Sequence, residues 1–303
     1  MPEQQLKLVN MIAITVFGVV LVDFFILHGV FKHIMPKTFN EIAWYYILAG
    51  LPHIVASYVA YCNKEYITYY AKEIKKSLLF TSGIFLLFIL FLPSLLIYFF
   101  VVYTMYHVAS QQLGICKKYT KHTRMYLLWS VVGTLAVVSV ALSVGGESGV
   151  FIYPSIAYIL KSIGILFLTV FTVSSLYLFR DKSYPRSTSI AIIFASIAVY
   201  MGYPLIGIIM IRFIHDVSAF CIYCTHDMLY QKKYGDNVLY SFFRIPTNYI
   251  YIFLPVFAIT VSFLLQLSHS FFFVVIGIML AFNHYHLEGV VWKRGSLHRR
   301  TIG

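Results

Sequence analysis

One apolar segment of the chain contains two histidine–aspartate pairs, residue types that bind metals and move protons. His215-Asp216 recurs eleven residues later as His226-Asp227. Eleven residues are almost three helical turns, so both histidines lie on one helix face and both aspartates on the adjacent face. The two histidines are then about 16 Å apart along the axis. We therefore expect one histidine to serve a metal site and the other to have a structural or gating role.

A second polar motif closes the last apolar segment. His284 and Glu288 are four residues apart, the spacing at which one helix face presents two ligands to one ion, as in the HExxH motif. His286 points nearly the opposite way on a regular helix, so it cannot share an ion with His284 there. The alternative is an interfacial position, where histidine and tryptophan anchor a helix end.

Two further histidines lie inside apolar runs upstream. His53 belongs to Pro-His-x3-Ser at 52–57, and His107 lies on a helical stripe with Tyr103 and Gln111. Ionisable groups at membrane depth cost several kcal/mol unless they are paired, liganded or hydrated, which favours a functional role. A hydrogen-bonded position in the core explains a single histidine equally well, and both interpretations stay open.

Composition indicates where these motifs lie. The 303 residues are 60% hydrophobic and 11% charged, against about 25% charged in soluble domains, and the mean hydropathy is +0.81. Apolar stretches such as Met11 to Leu27 and Leu78 to Val102 approach the roughly 20 residues of a spanning helix. We predict an all-α, polytopic helical membrane protein with about 8–10 spans, forming a single transmembrane domain over 1–303.

The basic residues predict orientation and exclude one class of partner. The 23 lysines and arginines, which give a net charge of +12, fall in short clusters between apolar runs. Such clusters are typical of juxtamembrane loops, so we expect membrane lipids as partners and no nucleic acid. The basic tail indicates a cytoplasmic carboxyl terminus, and the lack of a cleavable targeting segment suits a bacterial inner membrane.

The span boundaries follow from the apolar blocks. The block at 77–109 would be about 50 Å long as one helix, and Pro93 at its centre can divide it. The segment from Asn63 to Lys76 fits an interfacial helix. Further along, we predict separate spans at 187–211 and 213–230.

The histidines and acids together predict a metal centre. Imidazole with carboxylate suits iron, zinc, copper or manganese. We favour iron, as one ion or a dinuclear pair, with each acid either binding it or orienting a histidine. Tyr103, Tyr223 and Tyr285 are expected hydrogen-bond donors near the site. The candidate metal ligands are His53, His107, His215, His226, His284 and His286, and the candidate catalytic residues are Asp227, Glu288 and Tyr103.

Taken together, four motifs resemble a recurrent pattern of bacterial polytopic inner-membrane proteins that have no assigned activity. More loosely, the chain resembles histidine-rich membrane oxygenases that hold non-haem iron between helices and oxidise lipid-like substrates. Gly-Leu-Pro-His at 50–53 is similar to the opening motif of the Brp/Blh carotene-cleaving proteins, but the HxxxH, HxxHH and WHxxRH motifs are missing, so no residue role is carried over. The four motifs are Pro-His-x3-Ser-Tyr at 52–58, Tyr-His-x3-Gln-x2-Gly at 106–114, His-Asp-x2-Ala-Phe-x2-Tyr-x2-His-Asp at 215–227 and His-x3-Glu-x3-Trp-Lys at 284–293.

These observations predict a membrane-embedded, metal-dependent oxygenase that acts on a lipid-like or other hydrophobic substrate. A buried centre gains from a dry, shaped cavity around an open coordination position. The alternative is a proton- or metal-ion-coupled transporter that uses the same histidines and acids. Transporters often show duplicated halves, which this sequence does not, so the enzyme is the favoured hypothesis.

Overall fold

The computed structural model of the chain is helical throughout the part that it describes, and these residues form no β-strand. It describes residues 3–35, 41, 43–91, 93–116, 123–147, 154–181, 184, 186–267, 271–291 and 296. The all-α prediction is therefore confirmed. The α-helices are α1 (Glu3–Phe25), α2 (Val30–Ile34), α3 (Ala43–Tyr45), α4 (Leu51–Ala60), α5 (Lys64–Phe91), α6 (Pro93–Cys116), α7 (Thr123–Glu147), α8 (Pro154–Leu178), α9 (Arg186–Tyr200), α10 (Pro204–Tyr234), α11 (Val238–Phe242), α12 (Ile250–Leu267) and α13 (Phe271–Val291), with a π-helical turn at Tyr46–Gly50 and a 3₁₀ turn at Thr247–Tyr249.

Six of the described helices are long and apolar enough to cross a membrane, namely α1, α5, α7, α8, α10 and α12. Shorter apolar helical stretches lie at Ile47–Ala60 and Arg186–Tyr200. The chain is thus a multi-pass helical membrane protein. Of the apolar window in α10, 61% is buried, against 17% in α5. The helix with both histidine–aspartate pairs is therefore an interior helix.

Pro93 ends one helix and begins the next, as predicted for the block at 77–109. The helix before it begins much earlier than expected, at Lys64. No proline interrupts the sequence between Lys64 and Phe91, so helical hydrogen bonding continues through the basic segment into the apolar one. The prediction of a separate interfacial helix over 63–76 is therefore wrong.

The span boundary predicted between residues 211 and 213 is also wrong, because the break lies ten residues earlier. Gly202 has φ +91°, a left-handed conformation that glycine adopts without steric cost. The Gly202 N–H donates to the Val199 carbonyl and the Tyr203 N–H to that of Ala198, which is a Schellman ending for α9. Pro204 then starts α10, where its missing N–H costs nothing. Both histidine–aspartate pairs consequently share one unbroken helix.

Backbone contacts divide the chain into two compact units. Unit 1 contains Ile42–Leu96 and Asp216–Gly303, and unit 2 contains Pro2–Glu41 and Ile97–His215. The prediction of one domain over 1–303 stays a prediction. In unit 1, α4 packs against α12, and α13 against α5. In unit 2, α7 packs along α8, and α1 against α9.

Hydrogen bonds from the Asn237 side chain link α11 to the end of α4 in unit 1. Its Oδ1 accepts hydrogen bonds from the N–H groups of Leu239 (3.0 Å) and Tyr240 (3.2 Å), which caps α11. Its Nδ2 donates to the Val59 carbonyl at 3.0 Å and to Asn63 Oδ1 at 2.7 Å. The side chain is fully buried. These bonds set the position of Tyr240, whose hydroxyl donates a hydrogen bond to Asp227.

Replacing Asn237 with alanine is expected to lower the free energy of unfolding by about 2–4 kcal/mol, because the cap is lost and buried partners are left unsatisfied. Asn237→Ser retains a capping oxygen and should lose about 1 kcal/mol less. Unfolding of the purified protein in detergent, followed by circular dichroism, measures both. Equal stability of Asn237→Ala and the wild type would contradict the assigned role.

Candidate metal centre

Four ionisable side chains meet inside unit 1, and we call them the histidine–carboxylate cluster: His53, Asp216, His284 and Glu288. His53 lies on α4, Asp216 on α10, and the other two on α13. Each is at most 1% exposed. Burial of this kind requires hydrogen bonds, counter-charges or a metal.

The predicted pairing of His284 with Glu288 is confirmed as a contact, with Nε2 3.3 Å from Oε2. Ser57 fixes the tautomer of this histidine. The Ser57 hydroxyl donates its single proton to the Ile54 carbonyl at 2.7 Å, so it must accept in its 2.7 Å contact with His284 Nδ1. Nδ1 therefore carries a proton, and in the neutral form of the ring the lone pair is on Nε2, facing Glu288.

A lone pair and a carboxylate oxygen at this separation repel each other unless a cation or a proton lies between them. Two ligands on a tetrahedral ion with bonds of about 2.0 Å are roughly 3.3 Å apart, which matches the distance between His284 Nε2 and Glu288 Oε2. A histidine that donates its other ring N–H to a neighbouring oxygen is the usual arrangement of a metal ligand. The α13 pair therefore has the geometry of a chelate.

His53 presents a similar arrangement from α4. Its Nδ1 lies 3.5 Å from the Ala49 carbonyl oxygen and 3.6 Å from Asp216 Oδ1. Two acceptors on this side favour a proton on Nδ1, which leaves the lone pair on Nε2. The rings of His53 and His284 have centroids 5.1 Å apart and an interplanar angle of 73°. Asp216 is thus placed to orient His53 beside His284.

Tyrosine hydroxyls stabilise the buried carboxylates of unit 1. The Tyr45 hydroxyl donates at 2.6 Å to the oxygen of Asp216 that does not face His53. These hydrogen bonds satisfy carboxylate oxygens that are buried in the protein interior, and they add no positive charge beside them. Tyr223 was an expected donor, whereas Tyr45 was not. The pairs are Tyr45–Asp216, Tyr223–Glu288 and Tyr240–Asp227.

His226 and Asp227 form a hydrogen-bonded chain of their own in unit 1. His226 Nδ1 is 2.9 Å from Asp227 Oδ1, and its Nε2 is 2.8 Å from the Tyr66 hydroxyl. Tyr240 donates to the other oxygen of Asp227 at 2.6 Å. Tyr240 lies outside the spanning helices, and burial followed by the Asp227 charge raises the pKa of its hydroxyl, so it remains a donor. Both ring nitrogens of His226 are thus engaged.

Helical geometry separates His226 from the histidine–carboxylate cluster. It follows Asp216 by ten residues on α10, a rise of about 15 Å. Because α10 is unbroken, the condition under which His215 and His226 cannot bind the same ion is met. The metal role predicted for His226 and the catalytic role predicted for Asp227 stay predictions.

The remaining predicted residues are each described within their own unit. In unit 2, the rings of His107 and His215 are 5.2 Å apart at 86°, and a ligand atom of each lies within 4.8 Å of the other. Tyr103 lines a cavity of about 440 Å³ between α6 and α7. His286 is half-buried on α13, and its ring centroid is 6.1 Å from that of Phe80. It therefore points away from His284, as predicted. Tyr285, an expected donor, has its ring 5.6 Å from that of His284.

Comparison with known proteins finds no relative of this chain. No protein-family model matches the chain, and no curated protein or solved structure is detectably similar to it. The site is therefore interpreted from its own geometry.

Proposed function

We propose that the protein is a membrane-embedded, metal-dependent enzyme whose ion is bound by His284 and Glu288, with His53 beside them as the next ligand to be tested. The observation that supports this most strongly is the contact between His284 Nε2 and Glu288 Oε2, two electron-rich atoms 3.3 Å apart in a buried site. His53 brings a second imidazole beside the first. Asp216, Ser57 and Tyr223 then hold the three ligands in orientation.

Two histidines and one carboxylate, with the remaining positions open, form the ligand set typical of non-haem iron oxygenases. Iron is therefore the proposed metal, and when bound it would supply activation of dioxygen at the open positions. The residues of the chain bind and orient the ion, and the apolar helices around the cluster exclude bulk water. The resemblance to histidine-rich membrane oxygenases stays a prediction beside this proposal.

We propose a lipid-like or other hydrophobic substrate, because a buried site in a multi-pass protein is reached most directly from the bilayer. The basic residues of the tail at 293–300 support a cytoplasmic carboxyl terminus by the positive-inside rule. A bacterial inner membrane remains the proposed location. His107 and His215 remain predicted ligands as a pair within unit 2.

Proton- or metal-ion-coupled transport is the second candidate. It is favoured by one observation, the chain of four hydrogen-bonded groups Tyr66, His226, Asp227 and Tyr240. Ionisable chains of this kind at membrane depth form proton paths in pumps and transporters.

Metal analysis of the purified protein distinguishes the two functions. The enzyme predicts near-stoichiometric iron after purification or reconstitution with ferrous iron, with an absorption change when oxygen is admitted. The transporter predicts metal-free protein that moves protons or metal ions across vesicle membranes. Protein that neither retains iron nor takes it up would contradict the enzyme.

A further inference from the structure

A line of aromatic rings in contact with one another runs through unit 1, and we call it the tyrosine chain. The centroids of successive rings are 6.5, 6.3, 5.6, 5.3 and 4.7 Å apart. Electron transfer between rings weakens steeply with distance, so rings in contact provide an efficient series of short steps. In order, the members are Tyr58, Tyr61, Tyr70, Tyr66, Tyr230 and Tyr234.

One end of the tyrosine chain, the half-buried Tyr58, lies beside the α13 segment that holds the proposed metal ligands. The Tyr58 hydroxyl donates to the Leu280 carbonyl at 2.9 Å, one helical turn before His284. Leu287, the residue before Glu288, belongs to the same packed core as four of the tyrosines. At the outer end, the Tyr234 ring is 47% exposed. The chain thus joins the neighbourhood of the buried site to the surface.

Tyr66, near the middle of the tyrosine chain, has a built-in proton acceptor. Asp227 accepts the Nδ1 proton of His226 at 2.9 Å, so the neutral ring has its lone pair on Nε2. The Tyr66 hydroxyl lies 2.8 Å from this nitrogen and donates to it. The connectivity hydroxyl–imidazole–carboxylate is the one by which enzymes remove a proton from a hydroxyl group. Tyr66 is 1% exposed, so a proton and an electron can reach it but a bulky substrate cannot.

We propose that Tyr66 is a redox-active tyrosine that passes oxidising equivalents from the metal site towards the surface. The proposal rests on the function proposed above. The alternative is that the tyrosines serve only as packing, in which case the hydroxyl of Tyr66 contributes no redox chemistry. A chain of packing residues would need no proton acceptor at its buried centre.

In the proposed step Tyr66 loses one electron, which passes through Tyr70, Tyr61 and Tyr58 towards the histidine–carboxylate cluster. An iron ion bound there and oxidised by dioxygen would accept that electron. The phenolic proton moves to His226 Nε2, so a neutral phenoxyl radical faces an imidazolium ion paired with Asp227. Tyr66 is restored when an electron arrives through Tyr230 and the proton returns from His226.

The outer half of the tyrosine chain supplies that electron. The Tyr230 hydroxyl donates to Glu65 at 3.0 Å, so this tyrosine can also release and recover its proton as it passes the electron on. The exposed ring of Tyr234 receives the electron from a soluble one-electron reductant such as ascorbate.

The test uses the full-length protein in detergent, first without metal. A flash-excited ruthenium tris-bipyridine complex with a sacrificial acceptor oxidises the protein, and electron paramagnetic resonance records the radical. The wild type is expected to give a tyrosyl signal with a hyperfine coupling to a histidine nitrogen. Tyr66→Phe should lose this signal. Tyr203→Phe, which removes another buried hydroxyl hydrogen-bonded to a carboxylate, should keep it.

Two outcomes would overturn the proposal: an undiminished signal in Tyr66→Phe, or a wild-type radical without histidine coupling. The second outcome needs no variant, so it holds even if Tyr66→Phe fails to fold. Iron-loaded wild type treated with hydrogen peroxide should give the same radical, and its absence there would overturn the link to the metal. Failure to bind iron would instead contradict the proposed function and leave the Tyr66 result standing.

Discussion

His284→Ala is expected to abolish stoichiometric metal binding. The imidazole supplies Nε2, which lies 3.3 Å from Glu288 Oε2, and alanine offers no replacement. Removing residues that merely orient a ligand already costs about 10- to 100-fold in metal affinity, so loss of the ligand should cost more. Metal content and a titration with ferrous iron measure the change. Added imidazole should restore part of the binding, because it fits the cavity that the side chain leaves.

Ser57→Ala is the matched control for His284→Ala. It removes the oxygen that fixes the His284 tautomer but leaves the ring in place. We expect metal affinity to fall by about 10- to 100-fold while near-stoichiometric binding persists at high metal concentration. Unchanged metal content in His284→Ala would show that this histidine is not a ligand.

Glu288→Gln is expected to leave the metal-free protein at least as stable as the wild type but to lose the stabilisation that bound metal gives. In the metal-free protein, glutamine replaces a buried anion by a neutral group of similar size, and its amide can donate to the lone pair on His284 Nε2. Stability should therefore stay equal or rise. When metal is present, the variant should lack the stabilisation that bound metal gives the folded wild type. This amounts to about 2.7 kcal/mol when the free metal concentration is 100 times the dissociation constant. Thermal unfolding with and without ferrous iron measures both.

The metal-free result also distinguishes a metal ligand pair from a simple ion pair. If His284 were a permanent imidazolium paired with Glu288, removing the negative partner would leave a buried charge and cost about 3–5 kcal/mol. A strong loss of stability in metal-free Glu288→Gln would thus contradict the metal site. Tyr223→Phe is the matched control. It removes the hydroxyl that donates to Glu288 but keeps the carboxylate, so metal-dependent stabilisation should persist at raised metal concentration.

Local geometry made part of the fold and site predictable from sequence. The pairing of His284 with Glu288 follows from the four-residue spacing on any regular helix, and the divergence of His286 follows likewise. The membrane class follows from composition. Pro93 marked one helix boundary because proline cannot continue a helix. Gly202 and Pro204 are likewise residues that end and begin helices, and they mark the end of α9 better than the boundary predicted near residue 212.

The long-range contacts could not be predicted from a single sequence. His53 and His284 are 231 positions apart and Tyr45 and Asp216 are 171 apart, and no local periodicity encodes which helices pack together. A general signal did exist for the missed donors, since a buried carboxylate needs partners and the chain holds 25 tyrosines. That signal names the residue type but does not select Tyr45 among them.

X-ray absorption spectroscopy of the protein loaded with one equivalent of ferrous iron tests the proposed metal site most directly. The fine structure should show at least two imidazole nitrogens on the iron, and this imidazole scattering should vanish in a His53→Ala/His284→Ala double variant. Iron surrounded only by light, non-imidazole ligands, or a spectrum that the double substitution leaves unchanged, would contradict a metal centre at the histidine–carboxylate cluster.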